Sequence, residues 1–225
     1  AISSNNADVA MCNYYMVSLD KSNINMNHGY SEGIVLEQDK IESVFLKHIK
    51  ENDCTVGYFS LWNKIYRSDI IKENRIFLDT DMSFGEDMLF VMQCLKFCDR
   101  ITFTEKPLYY YEMTENGLFS KYRKSFLSDI MKCYRVLISQ LNLKETEELL
   151  PLSLKYYGYI MRYIKGIIEN ETQKIPMIKN VFEDITVQQI MQNLLSAQSC
   201  GKADQLDQQD IRLVRLLCKK RYLLS

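Results

Sequence analysis

Hydrophobic positions along this chain change their rhythm at about residue 120. Before it they come in short runs broken by polar and turn-forming residues. After it they recur at helical spacing over long stretches. Val9, Met11, Tyr14, Met16 and Val17 predict a strand within Asp8–Leu19. Lys21–Tyr30, with Asn23, Asn25 and Asn27 ahead of His28-Gly29, reads as a polar loop. Gly33–Leu36 reads as a short strand. Glu37–Asn52 reads as a helix carrying Ile41, Val44, Phe45, Leu46 and Ile49. Trp62–Tyr66 is expected to be extended, and Asp69–Asn74 to be a short helix with Ser68 as its cap. Gly85–Asp99 is apolar on almost every face from Met88 to Cys98, the pattern of a core helix. Ile101–Phe103 and Leu108–Tyr111 look like two strands separated by Glu105-Lys106-Pro107.

The second regime predicts helices at Lys121–Leu141, Lys144–Asn170, Ile175–Phe182, Thr186–Gln198 and Asp207–Leu223. Met161, Ile164, Ile167 and Ile168 form one stripe, and Ile190, Leu194 and Ala197 another. These stripes should pack on one another as an antiparallel bundle, because single helices of this length are marginal in water. Gln198–Gln209 is the candidate hinge, and no repeat of solenoid type is present.

At 225 residues the chain can hold one domain with a real core plus a helical appendage. A net charge of −1 gives no argument for nucleic acid as a partner. No apolar run approaches the ~20 residues that cross a bilayer. Ala1–Ala10 lacks the basic start and apolar middle of a signal peptide, so the expectation is a cytoplasmic protein. The chain opens without Met and enters directly on Asp8-Val9-Ala10-Met11-Cys12, which reads as a piece of a longer protein. The seven cysteines are odd in number and scattered, which argues for reduced thiols over a disulfide framework. Cys94 and Cys98 share a helix face at a spacing a metal could use. Buried core thiols explain them better, since His28 and His48 have no ligand-like spacing to each other.

The candidate chemistry sits in Gly85-Glu86-Asp87-Met88-Leu89-Phe90. Two carboxylates at the mouth of a packed helix are rigidly held yet able to reach a cleft, as a catalytic acid or base must be. Local chemistry offers a second account. Ser83-Phe84-Gly85-Glu86 fits a capping box with Glu86 as its return partner, and the helix dipole favours Asp87 wherever it points.

The order of surrounding motifs separates the two. Leu61-Trp62-Asn63-Lys64-Ile65-Tyr66-Arg67 comes first, then Ile76-Phe77, then Gly85-Glu86-Asp87, then Pro107-Leu108-Tyr109-Tyr110-Tyr111. This series resembles the C-terminal half of bacterial family-2 glycosyltransferases, inverting enzymes that build surface polysaccharides. The resemblance covers about Asp8–Ser120. It implies an α/β fold: a partial GT-A-like domain (residues 1–120) lacking its nucleotide-binding half, followed by an α-helical bundle (121–225).

In that family the Asp of Gly-Glu-Asp is the general base that takes the acceptor hydroxyl's proton, which assigns the role to Asp87. Glu86 would orient the acceptor or serve structure. Trp62 could stack on a sugar, and Asn63 or Lys64 could contact donor or acceptor. Tyr109 and Tyr111 read better as core, being alternating aromatics on a strand. The family neutralises its leaving group with Mg²⁺ or Mn²⁺ held by an Asp-x-Asp motif that precedes the matched region. Asp79-Thr80-Asp81 falls after the Trp-x-Lys motif and reads as a loop acidic pair, so no metal is expected on this chain. Glu112 and Gly117 replace the Arg and Ser that the family places after Pro-Leu-Tyr-x-Tyr.

The implied partners are a nucleotide-sugar donor and a glycan or lipid-linked acceptor. Ile211, Val214, Leu217 and Cys218 form one stripe of the last helix, while Arg212, Arg215, Lys219, Lys220 and Arg221 supply charge. That helix either packs on its own bundle or lies on an anionic membrane. The competing function class is a non-enzymatic interaction module in which Asp87 is only a helix-start carboxylate.

Overall fold

The computed structural model describes residues 2–20, 22–50, 56–114, 121–199 and 206–218, and the chain divides into two compact units, 1–121 and 122–225. The first is mixed α/β and the second is helical, the architecture expected from the change of rhythm. Cys54, Cys200, half of the expected hinge (200–205), and the Lys219, Lys220 and Arg221 charges lie outside the described residues.

The first unit begins with α1 (Ile2–Asn5) and is built on β1 (Val9–Val17). Every residue from Val9 to Tyr14 is buried, the continuous run of a strand covered on both faces. β1 is flanked by β2 (Asn23–Met26) and by β5 (Arg100–Glu112), which is parallel to it. β3 (Val35–Glu37) pairs with β5, giving the order β2-β1-β5-β3. β4 (Lys64–Tyr66) pairs with the start of β1. The helices are α2 (Gln38–Lys50), α3 (Val56–Phe59), α4 (Ser68–Glu73) and α5 (Glu86–Lys96).

Several expectations from sequence are corrected. Part of the supposed loop 21–30 is the strand β2, whose polar side chains suit an edge position where backbone pairing with β1 does the work. The two strands around Pro107 are one. Register shifts at Asn13 let β5 take extra residues between Thr104 and Tyr109, and a bulge tolerates a proline that donates no hydrogen bond. Buried Asn13 closes the gap. Its Nδ2 donates to Glu105 O (2.9 Å) and its Oδ1 accepts the His28 N–H (3.0 Å).

β3 covers β5 only at Arg100–Thr102. Among the described residues no strand lies along the outer edge of β5 beyond Phe103, where Leu108 and Tyr110 are 65% and 58% exposed.

The capping expectations also fail. α4 begins on Ser68 itself. α5 begins on Glu86, so Glu86 is its first residue and not the third that a Ser83 box requires. The cap is Gly85 at φ +82°, a left-handed conformation that favours glycine. Because α5 ends at Lys96, Cys98 lies beyond it, and the shared helix face with Cys94 is lost. Both thiols are buried and unbridged.

Asp8 is the polar keystone at the other end of the sheet. It is buried, pairs with Arg67 (2.9 Å), and accepts the Asp99 and Arg100 N–H groups (2.7 and 3.0 Å).

The second unit contains α6 (Phe126–Gln140), α7 (Thr146–Asn170), α8 (Lys174–Glu183), α9 (Ile185–Ser199) and α10 (Gln208–Cys218). The most extensive packing is α7 on α9. Ile190, Leu194 and Ala197 are fully buried. On α7 the buried stripe is broader than expected and rich in aromatics. Leu152, Tyr156, Ile160, Tyr163, Ile164 and Ile167 are buried, while Ile168 is 48% exposed, one step off the face. Tyr134 of α6, Ser153 of α7 and Asn193 of α9 bond one another at 3.0–3.2 Å inside the helices. Asp184 caps α9 through the Thr186 and Val187 N–H groups. On α10, Val214 is buried and Arg212 and Arg215 are exposed.

Candidate active site

Asp87 is the second residue of α5 and is half-buried. The left-handed turn at Gly85 sets where the helix starts, and therefore where this carboxylate stands. The Leu61 backbone amide and the Lys64 ammonium both lie within electrostatic reach of it. Burial pushes its pKa up; the Leu61 amide and the Lys64 cation pull it back. Glu86 precedes it on the first turn and is also half-buried.

The Leu61 amide belongs to the turn between α3 and β4. Lys64 ties this turn together: its Nζ donates to Gly57 O (2.6 Å), Ser60 O (2.8 Å) and Asn63 Oδ1 (2.9 Å). Burial pushes the ammonium down to about 7, opposed by the nearby Cys12 and Asp87 groups. Asn63 is buried and joins the turn to β1, its Nδ2 donating to Cys12 O (3.3 Å) and its O accepting the Cys12 N–H (2.9 Å). Gly57 is required by close approach, since a Cβ there would stand 2.9 Å from the Tyr14 ring and 3.2 Å from Asn63 Nδ2.

One residue from the Leu61 amide, Trp62 sits among three tyrosines. It stacks on Tyr109 (4.5 Å, 19°) and Tyr111 (5.3 Å, 27°) and meets the edge of Tyr14 (4.7 Å, 77°). Tyr109 and Tyr111 are not core, contrary to the strand-pattern expectation. The bulge at Pro107 carries the tail of β5 out of the interior, leaving Tyr109 exposed and Tyr111 partly so. Tyr15 and Tyr110 make a further stack (4.9 Å, 28°).

Of the residues expected to touch substrate, Trp62 is half-buried within the tyrosine stack, one residue on from the Leu61 amide. The Asn63 and Lys64 side chains are engaged with the chain's own backbone and with each other. Three contributors escaped sequence reasoning: the Leu61 amide, Gly57 and Tyr66. The Tyr66 hydroxyl is buried without a hydrogen-bond partner, within electrostatic reach of Asp87, and burial raises its pKa. The unusual Gly-Tyr-Phe-Ser ahead of Leu61-Trp62 was the available hint.

Asp79 and Asp81 lie in a local turn, where an Asp79 carboxylate oxygen accepts the Asp81 N–H (3.2 Å). Among the described residues no cluster of three His, Cys, Asp or Glu could hold a metal ion. His28 is a structural histidine. Its Nδ1 accepts the Tyr30 N–H (3.1 Å), so Nε2 carries the proton and donates to Thr104 O (3.0 Å). Burial pushes its pKa down.

Neither a family model nor a curated protein sequence matches this chain. Among solved structures it is similar to S. aureus TarS residues 1–349 in complex with UDP-GlcNAc. The TM-score is 0.54 at 17% identity, covering 98% of this chain and 61% of that one. It is likewise similar to TarS 1–349 without that ligand, with TM-score 0.50 at 16% identity, covering 100% and 61%. The chain thus spans about three fifths of the length of those structures. The likeness shows the fold alone: a mixed α/β unit with a C-terminal helical region.

Proposed function

We propose that this chain is the acceptor-side part of an inverting, GT-A-type family-2 glycosyltransferase that acts on a surface glycan or its lipid-linked precursor in the cytoplasm. The observation that carries the proposal is the half-buried Asp87 carboxylate in the first turn of α5, close to the Leu61 amide, with the Trp62, Tyr109 and Tyr111 stack built on the next residue. A sugar acceptor lies against aromatic faces through its C–H surface while its hydroxyls turn to polar groups. Asp87 takes the proton from the attacking hydroxyl as its oxygen approaches the anomeric carbon, opposite the departing nucleoside diphosphate. A carboxylate whose pKa is raised by burial is a better base near neutral pH than a solvated one. Glu86 orients the acceptor from the same helix turn.

The residues of this chain do not fit the divalent metal of such enzymes. An Asp79 carboxylate oxygen accepts the Asp81 N–H, and among the described residues no group of three His, Cys, Asp or Glu could hold a metal ion. Metal and nucleotide-sugar belong to a nucleotide-binding half outside this chain, which alone is inactive. Calorimetry with UDP-sugars and Mn²⁺ tests this. Weak or absent binding is expected, and micromolar metal-dependent binding abolished by Asp79→Ala would overturn it.

A second reading concerns α10, whose exposed Arg212 and Arg215 suit an anionic lipid surface. Among the described residues no helix is long and apolar enough to cross a membrane. Salt-sensitive co-sedimentation with anionic vesicles, lost in Arg212→Glu with Arg215→Glu, is the expected result. No binding at low salt removes the membrane from the picture and leaves a packing helix.

A further inference from the structure

Lys64 has no donor left for a ligand. An ammonium carries three N–H bonds, and three oxygens converge on it: two backbone carbonyls of the α3–β4 turn and the side chain of Asn63. A lysine that met a donor phosphate would keep at least one N–H turned outward. This one faces the chain.

What it holds is informative. Gly57 and Ser60 lie on one side of Trp62 and Asn63 on the other, so the ammonium closes the turn around the Leu61-Trp62 pair. Asn63 anchors the closed turn to buried β1 through two bonds to Cys12. The two groups presented by the turn are the ones the site uses, namely the Leu61 amide, which favours the ionised form of Asp87, and the Trp62 ring, which stacks on Tyr109 and Tyr111.

We infer that Lys64 is a positioning residue that clamps the 57–63 turn, setting at once the orientation of the Asp87 carboxylate and the seat of the Trp62 ring. Lysine suits this task better than arginine. A compact, rotatable triple donor can meet three converging oxygens, and a planar guanidinium cannot. The cation also favours the ionised form of Asp87 across the same gap. The other titratable groups close to Lys64 and Asp87 are Cys12, Tyr66 and His28; burial pushes the thiol and phenol pKa values up and the imidazole pKa down, which favours the neutral form of each.

The inference rests on Asp87 being the base, but its test does not. In Lys64→Met, which keeps the length of the side chain and removes its donors, the Asp87 carboxyl pKa is read by carbon NMR. Quenching by acrylamide is read from Trp62, the only tryptophan of the chain. The expected result is an Asp87 pKa higher by ~1–3 units, the size of a lost neighbouring charge, with at least a twofold rise in Trp62 quenching. A lysine that only adds stability would lower the melting temperature and leave both quantities in place, which overturns the inference.

Should Lys64→Met fail to fold, the wild-type chain still decides. The Leu61 amide proton shift must titrate together with the Asp87 carboxyl, and a flat Leu61 shift through the Asp87 transition overturns the clamp. Transfer surviving in Asp87→Asn, with the Lys64→Met shifts present, removes the base and keeps the clamp.

Discussion

The two units of this molecule place their polar groups under opposite rules. In the helical unit the interior polar side chains answer one another: Tyr134, Ser153 and Asn193 form a closed set on three helices, and Tyr157 bonds Asp210 across to α10 (2.6 Å). In the sheet unit the comparable groups are handed to backbone that would otherwise be irregular: Asn13 to the bulge, Lys64 to the α3–β4 turn, Asp8 to the Asp99 and Arg100 amides. Helices satisfy their own backbone, so their buried side chains are free to specify packing. Bulges and tight turns leave backbone groups open, and the side chains that close them become fixed in space. A fixed carboxylate beside fixed aromatic rings is what chemistry needs.

The largest expected effect would break that comparison if it failed. Asp87→Asn, in the enzyme with its nucleotide-binding half, should cost ~10²–10⁴-fold in transfer while the circular-dichroism spectrum and melting temperature stay near wild type. Normal turnover would reduce the site to architecture. Next comes Ile190→Ala in the fully buried face of α9, expected to cost about 2–5 kcal/mol of unfolding free energy in urea titration. Whatever remains folded should keep the Lys64 and Asp87 titrations unchanged, because the lesion is in the other unit.

Asn193→Leu sharpens the picture of the helical unit. It removes two bonds, but Tyr134 and Ser153 still hold each other, so the loss should be only about 0.5–1.5 kcal/mol. A much larger loss would show that the trio acts as one unit.

The remaining effect is a slope. Lys64 titrates at about 7 when folded and near 10.5 when unfolded, so between those values the folded chain holds fewer protons and stability rises with pH. Cys94 and Cys98 act in the opposite sense. Burial pushes the thiols up to about 11 and about 12 from 9.0, so the unfolded chain loses its protons first and stability falls above pH 9. The urea midpoint should therefore climb from pH 7 to 9 and decline beyond it. Lys64→Met should flatten the climb alone.

Legibility from sequence follows the same division. Helical periodicity located α6 to α10 closely, because burial of one face is the main thing that shapes a helix. Its misjudgement of Ile168 came from taking a contiguous pair of isoleucines as one stripe, when only Ile167 lies on the face. In the sheet unit β1 was clear from its apolar run. β2 was hidden because an edge strand can be polar, and β5 was cut in two because Pro107 reads as a stop unless the partner strand slips register. The Gly-Glu-Asp stretch drew attention to Asp87, but its helix start was misread, since Gly85 caps by backbone conformation and leaves no side-chain signature. Lys64 could be recognised as important and still be given the wrong neighbours, because sequence does not say whether a lysine faces in or out.

The outer edge of β5 bears on how the protein behaves in bulk. Beyond Glu105, whose N–H is taken by the Glu32 carboxylate (2.8 Å), the described residues leave an extended backbone flanked by Leu108, Tyr110 and Met113, which is a template on which other chains can grow. What opposes such growth is local: Pro107 offers no donor, Glu105 and Lys106 bring charge, and the bulge twists the strand away from flatness. Colloidal stability is thus vested in three residues that perform no catalysis. A search for variants that concentrate without forming aggregates would find its gains at Leu108 and Tyr110, which alternate along the strand with the tyrosines that stack on the tryptophan.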